Sequence, residues 1–138
     1  MPKTILVAED DVMVRNILVK TLCGANYSVL EADNAIEALQ LSRGFDGIIH
    51  LLVADESLKT MRARDLFEQL RQSRPDLKVL QISGYPFTVL DNWQALIPGA
   101  AFLQKPFFPK RLVEKVSQIL EPLEKAQASA SGMSNGST

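Results

Sequence analysis

Acidic side chains follow two short apolar runs of this sequence. Residues 4–8 lead to Glu9 and Asp10, and residues 51–54 lead to Asp55. If the two runs are neighbours, like charges 4 Å apart repel by about 4 kcal/mol at an effective dielectric near 20, so a cation must compensate them. Carboxylate oxygens are ligands that suit Mg2+, which also accepts phosphate oxygens. The pattern therefore predicts a magnesium site able to receive a phosphorylated group.

A hydroxyl and an ammonium follow two later apolar runs. Residues 79–82 lead to Ser83, and residues 101–104 lead to Lys105. Both groups can bind phosphoryl oxygens, and the lysine also offsets negative charge. An acidic residue after a strand is often only the N-cap of the next helix, and Asp11 is interpreted that way. The site prediction depends on the joint occurrence of all these groups, since each is weak evidence alone.

The elements that must position these groups alternate along the chain. Short apolar runs of strand type lie between longer segments of helical period. The predicted strands are residues 4–8, 28–32, 51–54, 79–83 and 101–104. The predicted helices are residues 12–22, 35–41, 63–73 and 109–123, with a less regular candidate at 88–96.

This alternation predicts an α/β fold, an open five-stranded parallel sheet with helices on both faces. Parallel strands buried on both faces are nearly continuous in apolar residues, as most of these runs are. In such sheets ligands bind outside the carboxyl ends of the strands, where the acidic, hydroxyl and lysine residues fall. The fold prediction therefore also locates the site.

Composition excludes several classes of function. The 138 residues carry 15 Lys and Arg against 16 Asp and Glu, a net charge of -1, without the basic field that nucleic-acid binding needs. The single cysteine, Cys23, excludes an intrachain disulfide and a zinc site of several thiolates. No apolar run approaches the roughly 20 residues of a membrane span, and no signal peptide is recognised, so a cytoplasmic protein is expected.

The chain is expected to form one domain followed by a linker. Residues 1–123 hold all the periodic segments and are long enough for one core. Residues 124–138 are rich in Ala, Ser and Gly and lack aromatic residues. Such a segment buries too little surface to offset the entropy of ordering, which predicts a disordered tail.

Four motifs together resemble the receiver domain of two-component response regulators. They are ILVAEDD at 5–11, LLVADESL at 51–58, VLQISGY at 79–85 and FLQKPF at 102–107. The last two are especially similar to the receiver modules of hybrid sensor histidine kinases. The resemblance implies a flavodoxin-like, doubly wound sheet with strand order 2-1-3-4-5.

The resemblance also implies the role of each acidic residue. Asp55 would be the phosphoacceptor, and Glu9, Asp10 and Asp55 would hold Mg2+ together with the backbone carbonyl of Ser57. The phosphoryl group would come from a histidine kinase, a histidine phosphotransfer protein or a small donor such as acetyl phosphate. The domain would catalyse its own magnesium-dependent phosphorylation and dephosphorylation, and is not a conventional enzyme.

The remaining motif residues are implied to convert phosphorylation into a signal. Ser83 would hydrogen-bond the phosphoryl group and Lys105 would pair with it, while Phe102 would move into space that Ser83 leaves. For Phe102, plain core packing is the competing interpretation. The bond between Lys105 and Pro106 is commonly cis in the family. The output would be a change in contacts with a downstream protein.

Four residues depart from the family pattern, and two of them, Lys59 and Ala63, replace its frequent Pro and its customary Gly in the loop after Asp55. Glu9 stands where Asp is usual and reaches one methylene further, which is expected to shift the metal without losing it. Glu56 adds a negative charge directly after Asp55, where an apolar or aromatic residue is more common. The alternative function is an interaction module that keeps the fold and the acidic site but works without phosphorylation. An aspartyl-phosphate phosphatase is disfavoured because Ser57 stands where a second acidic group would be needed.

Overall fold

The computed structural model describes residues 2–56, 58, 61–84 and 97–121. The strands are β1 (Thr4–Ala8), β2 (Ser28–Ala32), β3 (Leu51–Asp55), β4 (Lys78–Ser83) and β5 (Ala101–Gln104). The helices are α1 (Val12–Gly24), α2 (Ala35–Gly44), α3 (Ala63–Ser73) and α4 (Pro109–Leu120). The helix candidate at 88–96 and the predicted tail at 124–138 lie outside the described residues.

These strands form one parallel sheet in the order β2-β1-β3-β4-β5. The α/β fold and the strand order are therefore confirmed. The predicted strands match the observed ones, except that β3 and β4 are each one residue longer. Every residue of the central strands β1 and β3 is buried, as the continuous apolar runs predict.

The sheet separates two apolar clusters. One contains Ile5 and Val7 of β1 together with Leu18 of α1 and Leu112 of α4, and it covers the face that α1 and α4 share. The other lies against α2 and α3 on the opposite face. Because successive side chains of a strand point to opposite faces, neighbouring residues of each strand belong to different clusters.

Three predicted helix ends differ from the observed ones. Helices α1 and α2 continue past their last large apolar residue to Gly24 and Gly44. The last helix ends at Leu120 and not at 123, because Glu121 precedes Pro122. A residue before proline is driven out of the helical region by the proline ring, and Glu121 has φ -129° and ψ 36°.

Arg74 fastens the end of α3 to the turn that follows α2. Its guanidinium donates to the hydroxyl and the carbonyl oxygen of Ser42, at 2.8 and 2.9 Å. It also donates to the carbonyl oxygens of Phe45 and Gly47, at 2.7 and 2.8 Å. One side chain thus satisfies three backbone carbonyls where α2 ends, which fixes the path of the chain into β3.

No helix in the described part of the chain has the combination of length and apolar character needed to cross a membrane.

Candidate phosphoacceptor and metal site

Three acidic residues meet at the carboxyl edge of the sheet, as their positions after β1 and at the end of β3 predict. One carboxylate oxygen from each of Glu9, Asp10 and Asp55 lies within 4.8 Å of the others. Glu9 and Asp55 are buried, at 0% and 4% exposure, and Asp10 is half-buried. The cluster is made of hard oxygen donors, the set that Mg2+ prefers.

Strand alternation explains why Glu9 and Asp55 share a face. Val7 and Val53 pack in the cluster on the α1 and α4 side, and the two acidic residues follow them by two positions. The β1–β2 ladder continues through Glu9, whose N–H donates to the Ala32 carbonyl at 3.1 Å. Both carboxylates therefore extend the same face of the sheet beyond its apolar part.

Lys105 supplies the positive charge that the cluster needs. Its ammonium donates to Oδ2 of Asp55 and lies 3.1 Å from Oε1 of Glu9. Its backbone N–H donates to the Ser83 carbonyl at 2.7 Å, so the β4–β5 ladder places the lysine at this edge. Burial lowers the pKa of Lys105, but hydrogen bonding and attraction to Asp55 and Glu9 outweigh burial and raise it. The ammonium is therefore charged at neutral pH.

The two carboxylate oxygens of Glu9 have different surroundings. Oε2 accepts the Asp11 N–H at 3.1 Å, and the Arg15 guanidinium donates to the Glu9 carbonyl at 2.9 Å. Oε1 forms an ion pair with the Lys105 ammonium at 3.1 Å, and among the described residues it accepts no hydrogen bond of regular geometry. A buried carboxylate oxygen without a donor is a fitting ligand for a cation.

The pKa of Glu9 is raised from its ordinary value of 4.5 to about 7. Burial is the largest cause, and the negative charge of Asp55 raises the pKa further. The Asp11 N–H and the Lys105 ammonium act in the opposite direction without cancelling these effects. Burial and the charge of Asp55 thus oppose a second negative charge in the cluster, which agrees with the repulsion that the sequence pattern predicted.

The hydroxyl and aromatic residues lie where the sequence predicted. Ser83 is the last residue of β4 and is 4% exposed. Phe102 lies in β5, half-buried, with Gln81 of β4 as its cross-strand partner. The bond between Lys105 and Pro106 is cis, as the resemblance implied.

Several sequence predictions concern the residues after Asp55. Glu56 is 7% exposed, and its N–H donates to the Ile82 carbonyl at 2.9 Å, so its backbone continues the β3–β4 ladder. Ser57, the predicted carbonyl ligand, lies outside the described residues. Asp11 is the N-cap of α1, as interpreted, because Oδ1 accepts the N–H groups of Met13 and Val14 at 2.9 and 3.2 Å.

Sequence analysis overlooked two residues near this site. Arg15 has no signal beyond its place in the first turns of α1, since its contact to the Glu9 carbonyl depends on the packing of that helix. Gln81 does have a signal, a polar residue inside the apolar segment VLQIS, and it is fully buried.

Comparison with known proteins places the chain in one family. The response regulator receiver domain family matches residues 5–117. The chain is 34% identical over 121 residues to the sensor kinase CckA of Brucella abortus (strain 2308), covering 86% of this chain and 12% of that kinase. It is 33% identical over 118 residues to the response regulator receiver protein CpdR of the same organism, covering 86% of this chain and 97% of CpdR.

A solved structure agrees with these relatives. The receiver domain of the hybrid histidine kinase CckA superimposes with a TM-score of 0.72 at 32% identity, covering 86% of this chain and 99% of that one. The chain therefore belongs to the response regulator receiver domain family. It is a receiver domain of two-component signal transduction, the class that its four motifs predicted.

Proposed function

We propose that Asp55 accepts a phosphoryl group from a phosphorylated histidine of a partner protein, and that this modification switches the contacts of the domain. The observation that carries the proposal is the contact of the buried Asp55 carboxylate with the Lys105 ammonium, within the cluster of Glu9 and Asp10. A nucleophile, a fixed cation and two further carboxylates thus occupy one pocket.

In the proposed reaction, an Asp55 carboxylate oxygen forms a bond to phosphorus while the bond from phosphorus to the donor imidazole breaks. The imidazole leaves with the bonding electron pair and takes a proton from solvent. A carboxylate needs no deprotonation at neutral pH, so positioning and charge stabilisation are the main contributions of the protein. In dephosphorylation, water attacks phosphorus and the Asp55 carboxylate is released with inorganic phosphate.

Glu9, Asp10 and Asp55 would hold Mg2+, and the Ser57 carbonyl is the proposed fourth protein ligand. Two observations support the fit of these residues to Mg2+. The three carboxylates lie close together, and among the described residues Oε1 of Glu9 accepts no hydrogen bond of regular geometry. When bound, Mg2+ neutralises charge on the transferring phosphoryl oxygens. The Lys105 ammonium would pair with those oxygens in place of its present contact with Asp55.

Ser83 and Phe102 are the proposed switch. The phosphoryl group adds about one to two negative charges and new acceptor oxygens at Asp55, toward which the Ser83 hydroxyl would move. Phe102 would then fill the space near the end of β4. The two conformations need differ by only a few kcal/mol, so phosphorylation biases an existing equilibrium.

The proposed partners follow from the family. Receiver domains work with histidine kinases or histidine phosphotransfer proteins, and the chain is similar both to part of the sensor kinase CckA and to nearly all of CpdR. We propose a phosphorelay in the cytoplasm with a downstream protein as target and no direct contact with nucleic acid. Residues 1–123 would form the receiver domain and residues 124–138 a linker.

The test is intact-mass measurement after incubation with acetyl phosphate and Mg2+. The wild type is expected to gain one phosphoryl group, which Asp55→Asn abolishes. Asp46→Asn is the matched control, since Asp46 is exposed and precedes β3 at the opposite edge of the sheet. Phosphohistidine donors should give the same adduct. If no donor phosphorylates the wild type, the chain is instead an interaction module that works without phosphorylation.

A further inference from the structure

Gln81 is a polar residue enclosed within β4. Its chain neighbours Leu80 and Ile82 face the α1 and α4 side, so Gln81 points to the opposite face of the sheet. Its exposure is 0%. A primary amide buried this completely is unfavourable unless its polar atoms are hydrogen bonded. An apolar side chain of the same size would fill the space without that requirement, which indicates that the amide has a specific partner.

One partner of the amide is the backbone at the entrance to β5. Oε1 of Gln81 accepts the Ile97 N–H at 3.2 Å, across 16 residues of chain. Ile97 is 4% exposed and packs in the same apolar cluster as Val79 of β4. Its carbonyl accepts the Ala100 N–H at 3.0 Å, directly before β5 begins. The amide therefore links β4 to the segment that sets the position of β5.

The proposed switch residues lie on the same face as this link. Ser83 follows Gln81 by two positions in β4, so the two side chains leave the strand on one side. Phe102 is the cross-strand partner of Gln81 in β5. Cross-strand partners in neighbouring strands also share a face. Gln81 is thus a neighbour of both proposed switch residues, Ser83 in its own strand and Phe102 in the adjacent strand.

We propose that Gln81 is a positioning residue of the switch, whose amide bond to Ile97 favours the unphosphorylated arrangement. The inference rests on the proposed function, since it assigns Gln81 a role in the same conformational change. A shift of Ser83 toward a phosphoryl group would move β4 relative to residues 97–100 and weaken this hydrogen bond. The bond therefore opposes activation, and its removal lowers the cost of reaching the activated state.

Coupling of this kind is reciprocal. If the Gln81 bond favours the resting state, its loss must tighten the binding of any ligand that favours the activated state. Beryllofluoride with Mg2+ is the probe, since it places a phosphoryl-like anion on the acceptor carboxylate without a covalent reaction. Its affinity is read from amide shifts in a titration of the 15N-labelled chain.

Gln81→Met keeps the volume of the side chain and removes the amide. We expect it to bind beryllofluoride about fivefold more tightly, the change that corresponds to one typical hydrogen bond. The amide shifts of Ile97 and Phe102 in the free variant should already lie part of the way toward the bound positions. Gln118→Met, an exposed substitution of the same type on α4, should match the wild type in both respects.

Hydrogen exchange in the wild type tests the same inference without a variant. The Ile97 amide should exchange slowly in the free protein and faster when beryllofluoride is saturating. Unchanged or weaker affinity in Gln81→Met, or an Ile97 amide equally protected in both states, would overturn the inference while leaving the proposed function intact. If the wild type itself does not bind beryllofluoride, the proposed function fails and this inference fails with it.

Discussion

The ammonium of Lys105 lies 3.1 Å from Oε1 of Glu9, a carboxylate with no exposed surface at the end of β1. The same ammonium donates to Asp55, so one cation serves two buried anions. A single positive charge cannot balance both, and burial together with Asp55 raises the pKa of Glu9 to about 7. A second cation at this site would offset the remaining negative charge. In the metal-free protein, the raised pKa of Glu9 makes the stability depend on pH.

The first prediction concerns pH. Glu9 releases its proton near pH 4.5 in the unfolded chain and near pH 7 in the folded one. Between these values the folded state binds more protons, so the contribution of Glu9 to stability falls as pH rises. In metal-free buffer, wild type should lose stability relative to Glu9→Gln from about pH 5 to pH 7.5, by on the order of 3 kcal/mol.

Urea unfolding at several pH values in the presence of a chelator measures this difference. Glu31→Gln on β2 is the control, since Glu31 is exposed and the same substitution there should leave the pH profile unchanged. Added Mg2+ should stabilise the wild type more than Glu9→Gln, whose affinity for the ion should fall about tenfold. A constant difference between wild type and Glu9→Gln across this pH range would contradict the raised pKa.

A second prediction separates the two roles of Lys105. Lys105→Ala should weaken the conformational response more than the phosphorylation itself, because Glu9, Asp10 and Asp55 would still hold the proposed metal while no ammonium would pair with the phosphoryl group. The variant should also lose about 2 kcal/mol of stability in metal-free buffer, since two buried carboxylates lose their cation. Mg2+ should restore part of this loss.

Amide shifts on addition of beryllofluoride measure the conformational response, and intact mass after acetyl phosphate measures the chemistry. Lys110→Ala is the control, an exposed lysine in the first turn of α4. The idea is refuted if Lys105→Ala and the wild type show the same amide-shift response.

The sequence predicted the site because its groups come from regular positions. Asp55 is the last residue of β3, and Glu9 and Lys105 directly follow β1 and β5. Because parallel strands end at one edge of the sheet, period and topology suffice to bring these residues together. The strand order came from resemblance, since alternation of strands and helices alone allows several orders. The burial of Glu9 and the direction of its pKa shift depend on how the folded chain packs around the carboxylate, so the sequence pattern could not predict them.

Contacts between distant loops were beyond sequence reasoning. In the sequence, Arg74 is an ordinary charged residue before Pro75. Its four hydrogen bonds to the end of α2 and the turn that follows depend on how α2 and α3 pack. The end of α4 at Leu120 was available from the sequence, because Pro122 restricts the residue before it. The predicted helix extends to residue 123 because the apolar periodicity continues that far.

The third prediction tests the Arg74 contacts. Arg74→Lys keeps the charge but cannot reproduce the planar fork that reaches Ser42, Phe45 and Gly47 together. The ammonium cannot replace all the Arg74 hydrogen bonds at once, and we expect a loss of about 2 kcal/mol in the free energy of unfolding. Arg111→Lys, at an exposed position of α4, should change it by less than about 0.5 kcal/mol. Equal stability of the two variants in urea unfolding would show that these hydrogen bonds contribute little.

The fourth prediction tests the different roles of two adjacent carboxylates. Asp10 belongs to the cluster with Glu9 and Asp55, whereas Asp11 caps α1 through the N–H groups of Met13 and Val14. Asp11→Ala should therefore lose about 1 kcal/mol of stability and keep its Mg2+ affinity, since the backbone N–H that binds Glu9 remains. Asp10→Asn should do the reverse, because it removes a charge from the metal cluster and breaks no cap.

Asp11→Asn supplies the conservative comparison for Asp11→Ala, since asparagine is an equally good N-cap and should retain most of the stability. Urea unfolding measures the stability of the three variants, and titration measures their Mg2+ affinity. Asp11→Ala should change only the stability, and Asp10→Asn only the affinity. If Asp11→Ala lost Mg2+ binding while Asp10→Asn kept it, the metal would be held by the cap residue and the cluster of Glu9, Asp10 and Asp55 would not be the site. Loss of Mg2+ affinity in Asp10→Asn together with loss of stability in Asp11→Ala would instead assign metal binding to Asp10 and helix capping to Asp11.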